Sequence, residues 1–207
     1  MAKLHFNYGC MGSSKSLRLL ALAHNFQEKG IEFMLMKPSK DLRDGSGLIK
    51  SRAGLSMDCV SIDSDINLFE YVKRYETTLK YNTGQKLRWV LIDECQFLEE
   101  EQVDQLAMVV DYLGINVMCY GLRTDFRSKL FPAAKRLFEL ADELEVIKSY
   151  CSCGEHNATI NARIDEDGNV VTSGKQIEVG GDDKYVALCR RCWNSKTATR
   201  IPNKSEQ

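Results

Sequence analysis

Apolar and polar residues follow two different periodicities along the first 122 residues of the chain. Short, largely apolar runs predict β-strands at 3–8, 31–37, 87–94 and 115–122. Apolar residues that recur every three or four positions predict helices at 15–27, 66–80 and 100–113. The polar, glycine-containing stretch 38–56 predicts a loop. This alternation of strands and helices favours an α/β fold built on a mainly parallel sheet.

The pattern changes near residue 150, where cysteines, glycines and short polar stretches replace the alternation. We therefore expect an α/β domain at 1–149 and a small second domain at 150–193. The remaining residues, 194–207, are polar and predict a disordered tail. A chain of 207 residues is long enough for this arrangement, with a substantial core in the first domain.

Charge and composition narrow the classes of protein. With 28 basic and 29 acidic side chains, the chain has no basic excess of the kind that binds nucleic acid. No apolar run approaches the length of about 18 residues that a membrane span needs, and no signal peptide is recognisable. These features predict a cytoplasmic protein. In that reducing compartment, the eight cysteines favour metal binding or catalysis over disulfides.

The segment "NYGCMGSSKSL" (7–17) nearly matches a phosphate-binding loop, in which Gly, four residues and Gly precede Lys and then Ser or Thr. In such a loop, Lys15 reaches the phosphates and the Ser16 hydroxyl binds Mg²⁺, in front of a helix N-terminus that favours anions. Ser14 occupies the place of the second glycine, where a positive φ is often required. We expect a working loop with a strained residue, in which Ser14→Gly lowers the KM for ATP. The alternative is a strand–turn–helix junction with an incidental Lys-Ser pair.

The segment "VLIDECQF" supplies a second half for such a site. Asp93 and Glu94 follow a buried strand, and ligands of open α/β sheets bind beyond the carboxyl ends of the strands. Asp93 can hold Mg²⁺, and Glu94 can take a proton from a nucleophile. The alternative is a pair of solvated acids at a strand end.

Four cysteines form two closely spaced pairs, Cys151-x-Cys153 and Cys189-x-x-Cys192. Two such pairs suit a tetrahedral structural zinc, and the alternative is a set of buried or free thiols. The long interval between the pairs contains "IEVGGDDKY" (177–185), in which two glycines would let the backbone approach a ligand closely. The residues alone do not separate that interpretation from a β-hairpin turn.

The chain resembles the thymidine kinases of the compact, zinc-containing type that animals and many bacteria possess. The resemblance covers about residues 1–193 and is carried by "MAKLHFNYGCMGSSKS", "SRAGLS", "DECQFL", "CYGLRTDFR", "CSCGEHNATINAR" and "VGGDDKYVALCRRC". It is densest in segments typical of the bacterial branch, which also has the tight Cys-x-Cys pair. The resemblance implies a P-loop (RecA-like) kinase domain followed by a zinc ribbon with a substrate-covering loop, the lasso, between the two cysteine pairs.

The resemblance also implies an activity and its partners. The expected reaction is transfer of the γ-phosphoryl group of MgATP to the 5′-hydroxyl of thymidine or deoxyuridine. Zinc would be structural, the assembly a homotetramer, and thymidine triphosphate a feedback inhibitor. Two alternatives remain: a nucleotide-binding regulatory protein derived from such a kinase, with little turnover, and a helicase-like ATPase that grips nucleic acid. Turnover with thymidine tests the first, and salt-dependent binding to single-stranded DNA tests the second.

Site residues follow from the resemblance position by position. Glu94 is the implied catalytic base. ATP binding is implied for Gly9, Cys10, Met11, Gly12, Ser13, Ser14, Lys15, Ser16, Asp41, Arg43, Asp93 and Gln96. Thymidine binding is implied for Met11, Phe97, Leu122, Phe126, Gln176, Ile177, Glu178, Val179, Gly180 and Tyr185. The implied zinc ligands are Cys151, Cys153, Cys189 and Cys192, and the arginines that flank the lasso, Arg163 and Arg190, are further candidates.

Overall fold

The apolar runs of the sequence form strands in the computed structural model, which describes residues 1–41, 45, 47–165, 168–174, 176 and 184–195. The strands are β1 (Leu4–Tyr8), β2 (Phe33–Pro38), β3 (Leu48–Lys50), β4 (Ser56–Asp58), β5 (Val60–Ile62), β6 (Trp89–Ile92), β7 (Asn116–Gly121), β8 (Glu143–Val146), β9 (Ile160–Ile164), β10 (Val170–Val171) and β11 (Tyr185–Leu188). The helices are α1 (Lys15–Glu28), α2 (Leu68–Thr83), α3 (Glu100–Leu113), α4 (Pro132–Leu140) and α5 (Arg190–Ser195), with a 3₁₀ turn at Cys95–Phe97. None of these helices, within the described part of the chain, is long and apolar enough to cross a membrane.

Six strands form one parallel sheet in the order β5-β2-β6-β7-β1-β8. Both faces are covered, because side chains alternate along each strand. From β6, Val90 and Ile92 pack into the core beneath α2, α3 and α4, whereas Leu91 packs on the opposite side with α1. The predicted α/β fold with a mainly parallel sheet is confirmed. Its carboxyl edge therefore brings together the segments that follow β1, β2, β6 and β7.

The prediction of a loop at 38–56 is wrong in part. Strands β3 and β4 form an antiparallel hairpin, and β5, just beyond the stretch, joins the sheet next to β2. Each of these strands has three residues. Such short strands hold too few residues for a period of two to be recognised. Residues 42–44 and 46 lie outside the described part of the chain.

The sequence pattern also missed α4 and β8. Helix α4 buries Ala133, Ala134 and Leu137 against the sheet. Strand β8 pairs with β1 at the edge of the sheet, and all four of its residues are exposed. Its sequence alternates glutamate with an apolar residue over only four positions, which is too short for the pattern to be recognised.

The second unit is a three-stranded antiparallel sheet in the order β10-β9-β11, followed by α5. A small core of its own contains Cys151, Ala162, Leu188 and Cys189. Helix α5 ends at Ser195, and the rest of the predicted tail, 196–207, lies outside the described residues. The boundaries of the two domains remain predictions.

Candidate active site

The phosphate loop (residues 9–16) connects β1 to α1 and is shaped by its own backbone. The Gly9 N–H donates to the Gly121 carbonyl at 3.3 Å, and the Ser13 N–H donates to the Cys10 carbonyl at 3.2 Å. A Cβ at Gly9 would lie 2.5 Å from the Ile147 carbonyl oxygen, so only glycine fits there. The loop therefore has a fixed path from the sheet edge into the first turn of α1.

Ser14 is the residue just before α1 and has φ 65° and ψ 28°, in the left-handed region. Its side chain makes no capping hydrogen bond to the helix. The Ser14 carbonyl accepts from the Arg18 N–H at 3.0 Å and so starts the hydrogen bonds of α1. The positive φ expected from the missing glycine is present, on a residue with a Cβ.

Lys15 and Ser16 face Asp93 across the carboxyl edge of the sheet. The Lys15 ammonium donates to the Cys10 carbonyl at 2.9 Å, and the Ser16 hydroxyl donates to the Asp93 carboxylate. Burial, reinforced by the neighbouring Glu94 charge, raises the pKa of Asp93 to about 7, although Ser16 and Lys15 oppose the rise. A divalent cation at this carboxylate would favour the charged form.

Glu94 lies in a strained and largely buried position, two residues after the end of β6. Its φ is 52°, and the residue is 7% exposed. The Gln96 side-chain amide donates to Glu94 Oε2 at 2.6 Å, while Gln96 Oε1 accepts from the Leu122 N–H at 2.9 Å. Gln96 therefore links the carboxylate to the segment after β7. A Cβ at Gly121 would lie 2.6 Å from Gln96 Oε1, which explains the glycine at that strand end.

These segments surround a cavity of about 700 Å³ between the sheet edge and the second unit. The predicted site residues that line it are Met11, Gly12, Ser14, Lys15, Ser16, Asp41, Asp93, Glu94, Gln96, Phe97, Leu122, Phe126, Gln176 and Tyr185. Gly9, Cys10 and Ser13 do not line it but shape the phosphate loop. The others, Arg43, Ile177, Glu178, Val179 and Gly180, lie outside the described residues.

Aromatic side chains form the apolar end of the cavity. Phe126 is 1% exposed, and Phe97 and Phe131 make an edge-to-face contact with ring centroids 6.2 Å apart. The Arg163 guanidinium lies 4.1 Å from the Phe126 ring centroid and donates to the Ser173 carbonyl at 3.1 Å. Arg163 therefore buttresses the apolar wall from the second unit. Arg190 begins α5 and is exposed. It is not one of the described residues that line the cavity.

Several residues that line the cavity were not predicted as site residues from the sequence, among them Lys37, Arg52 and Asn161. The Arg52 guanidinium lies beside Gly12 of the phosphate loop. The Asn161 Oδ1 accepts from the Met11 N–H at 2.7 Å, and its Nδ2 donates to the Thr124 carbonyl at 3.3 Å. Arg52 and Asn161 belong to segments that carried the resemblance. The available signal for Lys37 was a cation near the end of an otherwise apolar strand.

The four predicted zinc ligands, Cys151, Cys153, Cys189 and Cys192, come together in the second unit. Their sulfur atoms all lie within 4.8 Å of one another. Tetrahedral zinc with Zn–S bonds of about 2.3 Å separates sulfurs by about 3.8 Å, so the cluster fits the metal with small adjustments. The Cys192 N–H also points to the Cys189 sulfur at 3.5 Å, which favours a thiolate there.

Comparison with known proteins gives one consistent family. A family model described as "Thymidine kinase" matches residues 2–193. A thymidine kinase from Agrobacterium fabrum is 46% identical over 93% of this chain and 96% of its own. Thymidine kinases from Idiomarina loihiensis (43%; 97% and 100%) and Enterobacteria phage T4 (42%; 95% and 98%) are similar over comparable lengths. Among solved structures, the Pif1 helicase of Candida albicans matches with TM-score 0.41 and 15% identity over 72% of this chain and 36% of that one, too weakly to bear on fold or function.

Proposed function

The chain belongs to the thymidine kinase family and phosphorylates thymidine, and from this premise we propose that the donor is MgATP and that transfer takes place in the cavity described above. The γ-phosphoryl group passes to the 5′-hydroxyl of thymidine or deoxyuridine and gives the monophosphate for pyrimidine salvage. Matches over nearly the whole chain favour this enzyme over a regulatory protein with little turnover. The observation that carries this proposal is that the phosphate loop, Asp93 and Glu94 line the same cavity.

The phosphate side of the site is assigned to the phosphate loop, together with Asp41 and Arg43. Backbone N–H groups at the start of α1 and the Lys15 ammonium are donors for phosphate oxygens. Ser16 and Asp93 fit Mg²⁺, because Asp93 Oδ1 is buried, no hydrogen-bond partner reaches it from the described part of the chain, and Mg²⁺ prefers oxygen ligands. Bound there, Mg²⁺ would supply positive charge to the phosphates.

Glu94 is the base in this proposal. As the nucleoside O5′ forms its bond to the γ-phosphorus, the bond to the bridging oxygen breaks, ADP leaves with that electron pair, and the hydroxyl proton goes to Glu94. Gln96 holds the carboxylate by the 2.6 Å hydrogen bond, so the base is oriented before the proton moves. Lys15 stabilises the charge on the phosphates, which is the main task in phosphoryl transfer.

The nucleoside side is assigned to the apolar end of the cavity. Met11, Phe97, Leu122 and Phe126 line it and offer a slot for one pyrimidine ring. Gln176 and Tyr185 line the cavity from the second unit, and the family resemblance assigns residues 177–180 between them to base recognition through backbone groups. The cysteine cluster would hold a structural zinc that fixes both ends of the lasso, because its pairs flank this segment.

Regulation and assembly follow the family as well. Thymidine triphosphate carries both a nucleoside and a triphosphate, so it would compete for both halves of the cavity as a feedback inhibitor. We propose a cytoplasmic homotetramer as the assembly. Contact between two copies is supported by β8, which is the last strand of the six-stranded sheet in the described part of the chain. Its Leu144 and Val146 are 50% and 52% exposed, and an unpaired edge is a template for pairing with another copy. Light scattering at micromolar concentration tests the assembly, and a monomer would contradict it.

Purified protein incubated with MgATP and each nucleoside tests the activity. Thymidine and deoxyuridine should give monophosphate and ADP in equal amounts, whereas purine nucleosides should give little. Glu94→Gln is the matched control, because it preserves the shape of the site and removes the base. Equal turnover of deoxyguanosine would refute the substrate assignment, and nucleotide binding without any turnover would support the regulatory alternative.

A further inference from the structure

Lys37 is a buried cation in the wall of the cavity. It lies near the carboxyl end of β2 and is 1% exposed. Side chains alternate along the strand, and Leu35 packs against α1, so Lys37 points to the same face of the sheet as the phosphate loop. Strand β2 neighbours β6, and the Asp93 N–H donates to the Met36 carbonyl at 3.0 Å. Lys37 and Asp93 therefore extend from adjacent strand ends.

The Lys37 ammonium lacks a hydrogen-bond acceptor among the described residues. Its nearest carboxylate oxygen, Asp41 Oδ2, lies 3.7 Å away, which is an ion-pair distance but too long for a hydrogen bond. A buried ammonium with unused donors is costly. A lysine needed only to hold Asp41 would be expected at hydrogen-bond distance.

The order of the strands determines where the Lys37 ammonium lies relative to the phosphate loop and the carboxylates. The phosphate loop follows β1, the carboxylates follow β6, and Lys37 is the last residue but one of β2, on the far side of β6. A triphosphate that begins at the loop and extends toward Asp93 therefore presents its terminal phosphate nearest to Lys37. Lys15, in contrast, is anchored beside the loop by its bond to the Cys10 carbonyl.

From this arrangement we propose that Lys37 is a second phosphate-binding lysine, which contacts the terminal phosphate of the nucleotide from the β2 side. Its unused N–H groups donate to oxygens of the phosphoryl group that is transferred. Lys37 takes no proton and forms no covalent bond, so it acts by charge and position alone. The inference rests on the proposed function, because it requires ATP in this cavity.

Lys37→Met tests the contact, because it keeps most of the length of the unbranched side chain and removes the charge. Affinity for β,γ-methylene-ATP with Mg²⁺ should fall by about 10- to 100-fold, the usual worth of a hydrogen bond to a charged group. Affinity for ADP should change by less than about 3-fold, because ADP lacks the terminal phosphate. Steady-state kinetics should show a lower kcat as well. Lys73→Met removes an exposed lysine from α2 and should alter none of these values.

The possible outcomes separate the proposal from a structural role. If Lys37 only positions Asp41, Lys37→Met should weaken ADP and the ATP analogue equally, or neither, and that result would overturn the contact. Thermal unfolding checks that the variant is folded. If it is not, Lys37→Gln and Lys37→Arg serve the same comparison, and Arg should keep the preference for the ATP analogue. A wild-type protein that binds the analogue but phosphorylates no nucleoside would refute the proposed function and leave the binding comparison intact.

Discussion

Ser14→Gly removes a Cβ from a residue that the folded chain holds at φ 65°. The hydrogen bonds of the phosphate loop and the first turn of α1 fix this conformation, so the strain belongs to the folded protein itself. A side chain in the left-handed region costs about 1–2 kcal/mol. Glycine offsets part of the gain, because its greater freedom in the unfolded chain costs about 0.4–1 kcal/mol. The midpoints of these two ranges differ by about 0.8 kcal/mol, which is the net gain that we expect in the free energy of unfolding.

The structure changes where the effect should appear. The sequence alone predicts a several-fold lower KM for ATP, on the assumption that binding forces Ser14 into the strained conformation. If the strain is equal before and after binding, it cancels in the binding free energy. Ser14→Gly should therefore raise Tm by about 1–4 °C in a chain of this size. The KM for ATP should change by less than about two-fold.

Ser14→Ala is the matched control, because it keeps the Cβ and removes only the hydroxyl. Its Tm should stay at or below that of the parent protein, since the strain remains and the side chain makes no capping bond. Thermal unfolding gives the Tm of the parent protein and both variants, and steady-state kinetics gives their KM for ATP, so strain in the folded state is distinguished from strain that develops on binding. A several-fold lower KM without a rise in Tm for Ser14→Gly would show that the strain develops on binding and would refute this reasoning.

Four further changes test other parts of the site. Glu94→Gln should preserve ATP binding in calorimetry and lower kcat by about 10²- to 10⁴-fold, the usual contribution of a positioned base; near-normal turnover would remove Glu94 from the mechanism. Gly121→Ala should lower kcat in a folded protein, because the new Cβ would lie 2.6 Å from the amide oxygen of the glutamine that orients Glu94; an unchanged kcat would contradict that orienting role. Metal analysis should find about one zinc per chain, and Cys189→Ser should raise the KM for thymidine more than that for ATP; protein purified without chelator that contains no zinc would end the assignment. Because the folded-state pKa of Asp93 is raised to about 7, the unfolded chain loses this proton first as pH rises. The free energy of unfolding should thus fall between about pH 4 and pH 7 and then level off, and Asp93→Asn should remove this component. Denaturant titrations at several pH values measure that free energy; the same dependence on pH in both proteins would refute the assignment to Asp93.

The sequence predicted the elements that are defined by burial. Strands β6 and β7 lie between helices on both faces, so their sequences are continuous apolar runs, and Asp93 and Glu94 mark the point where β6 reaches the sheet edge. Strand β8 has the opposite character, because a fully exposed edge strand shows no such run. The three-residue strands β3 to β5 are too short to show a period.

The site was predictable where its chemistry lies in local motifs. The phosphate loop is one contiguous segment, and the serine in place of its second glycine predicted the positive φ of Ser14. Lys37 was not predicted, because its place beside Asp93 depends on β2 and β6 being neighbours in the sheet. Asn161 was not predicted either, since it contacts Met11 across 150 residues of sequence. Motif spacing carries no information about such distant pairs.

The buried side-chain amide of Asn161 connects the second unit to two segments of the α/β domain. Its oxygen holds the Met11 N–H in the phosphate loop, and its nitrogen holds the Thr124 carbonyl near the nucleoside slot, while its backbone belongs to β9. A shift of β9 therefore disturbs hydrogen bonds at both places at once. Linkage makes such a disturbance reciprocal: if the nucleoside steadies this amide and thereby improves the binding of triphosphate, the triphosphate improves the binding of nucleoside by the same factor.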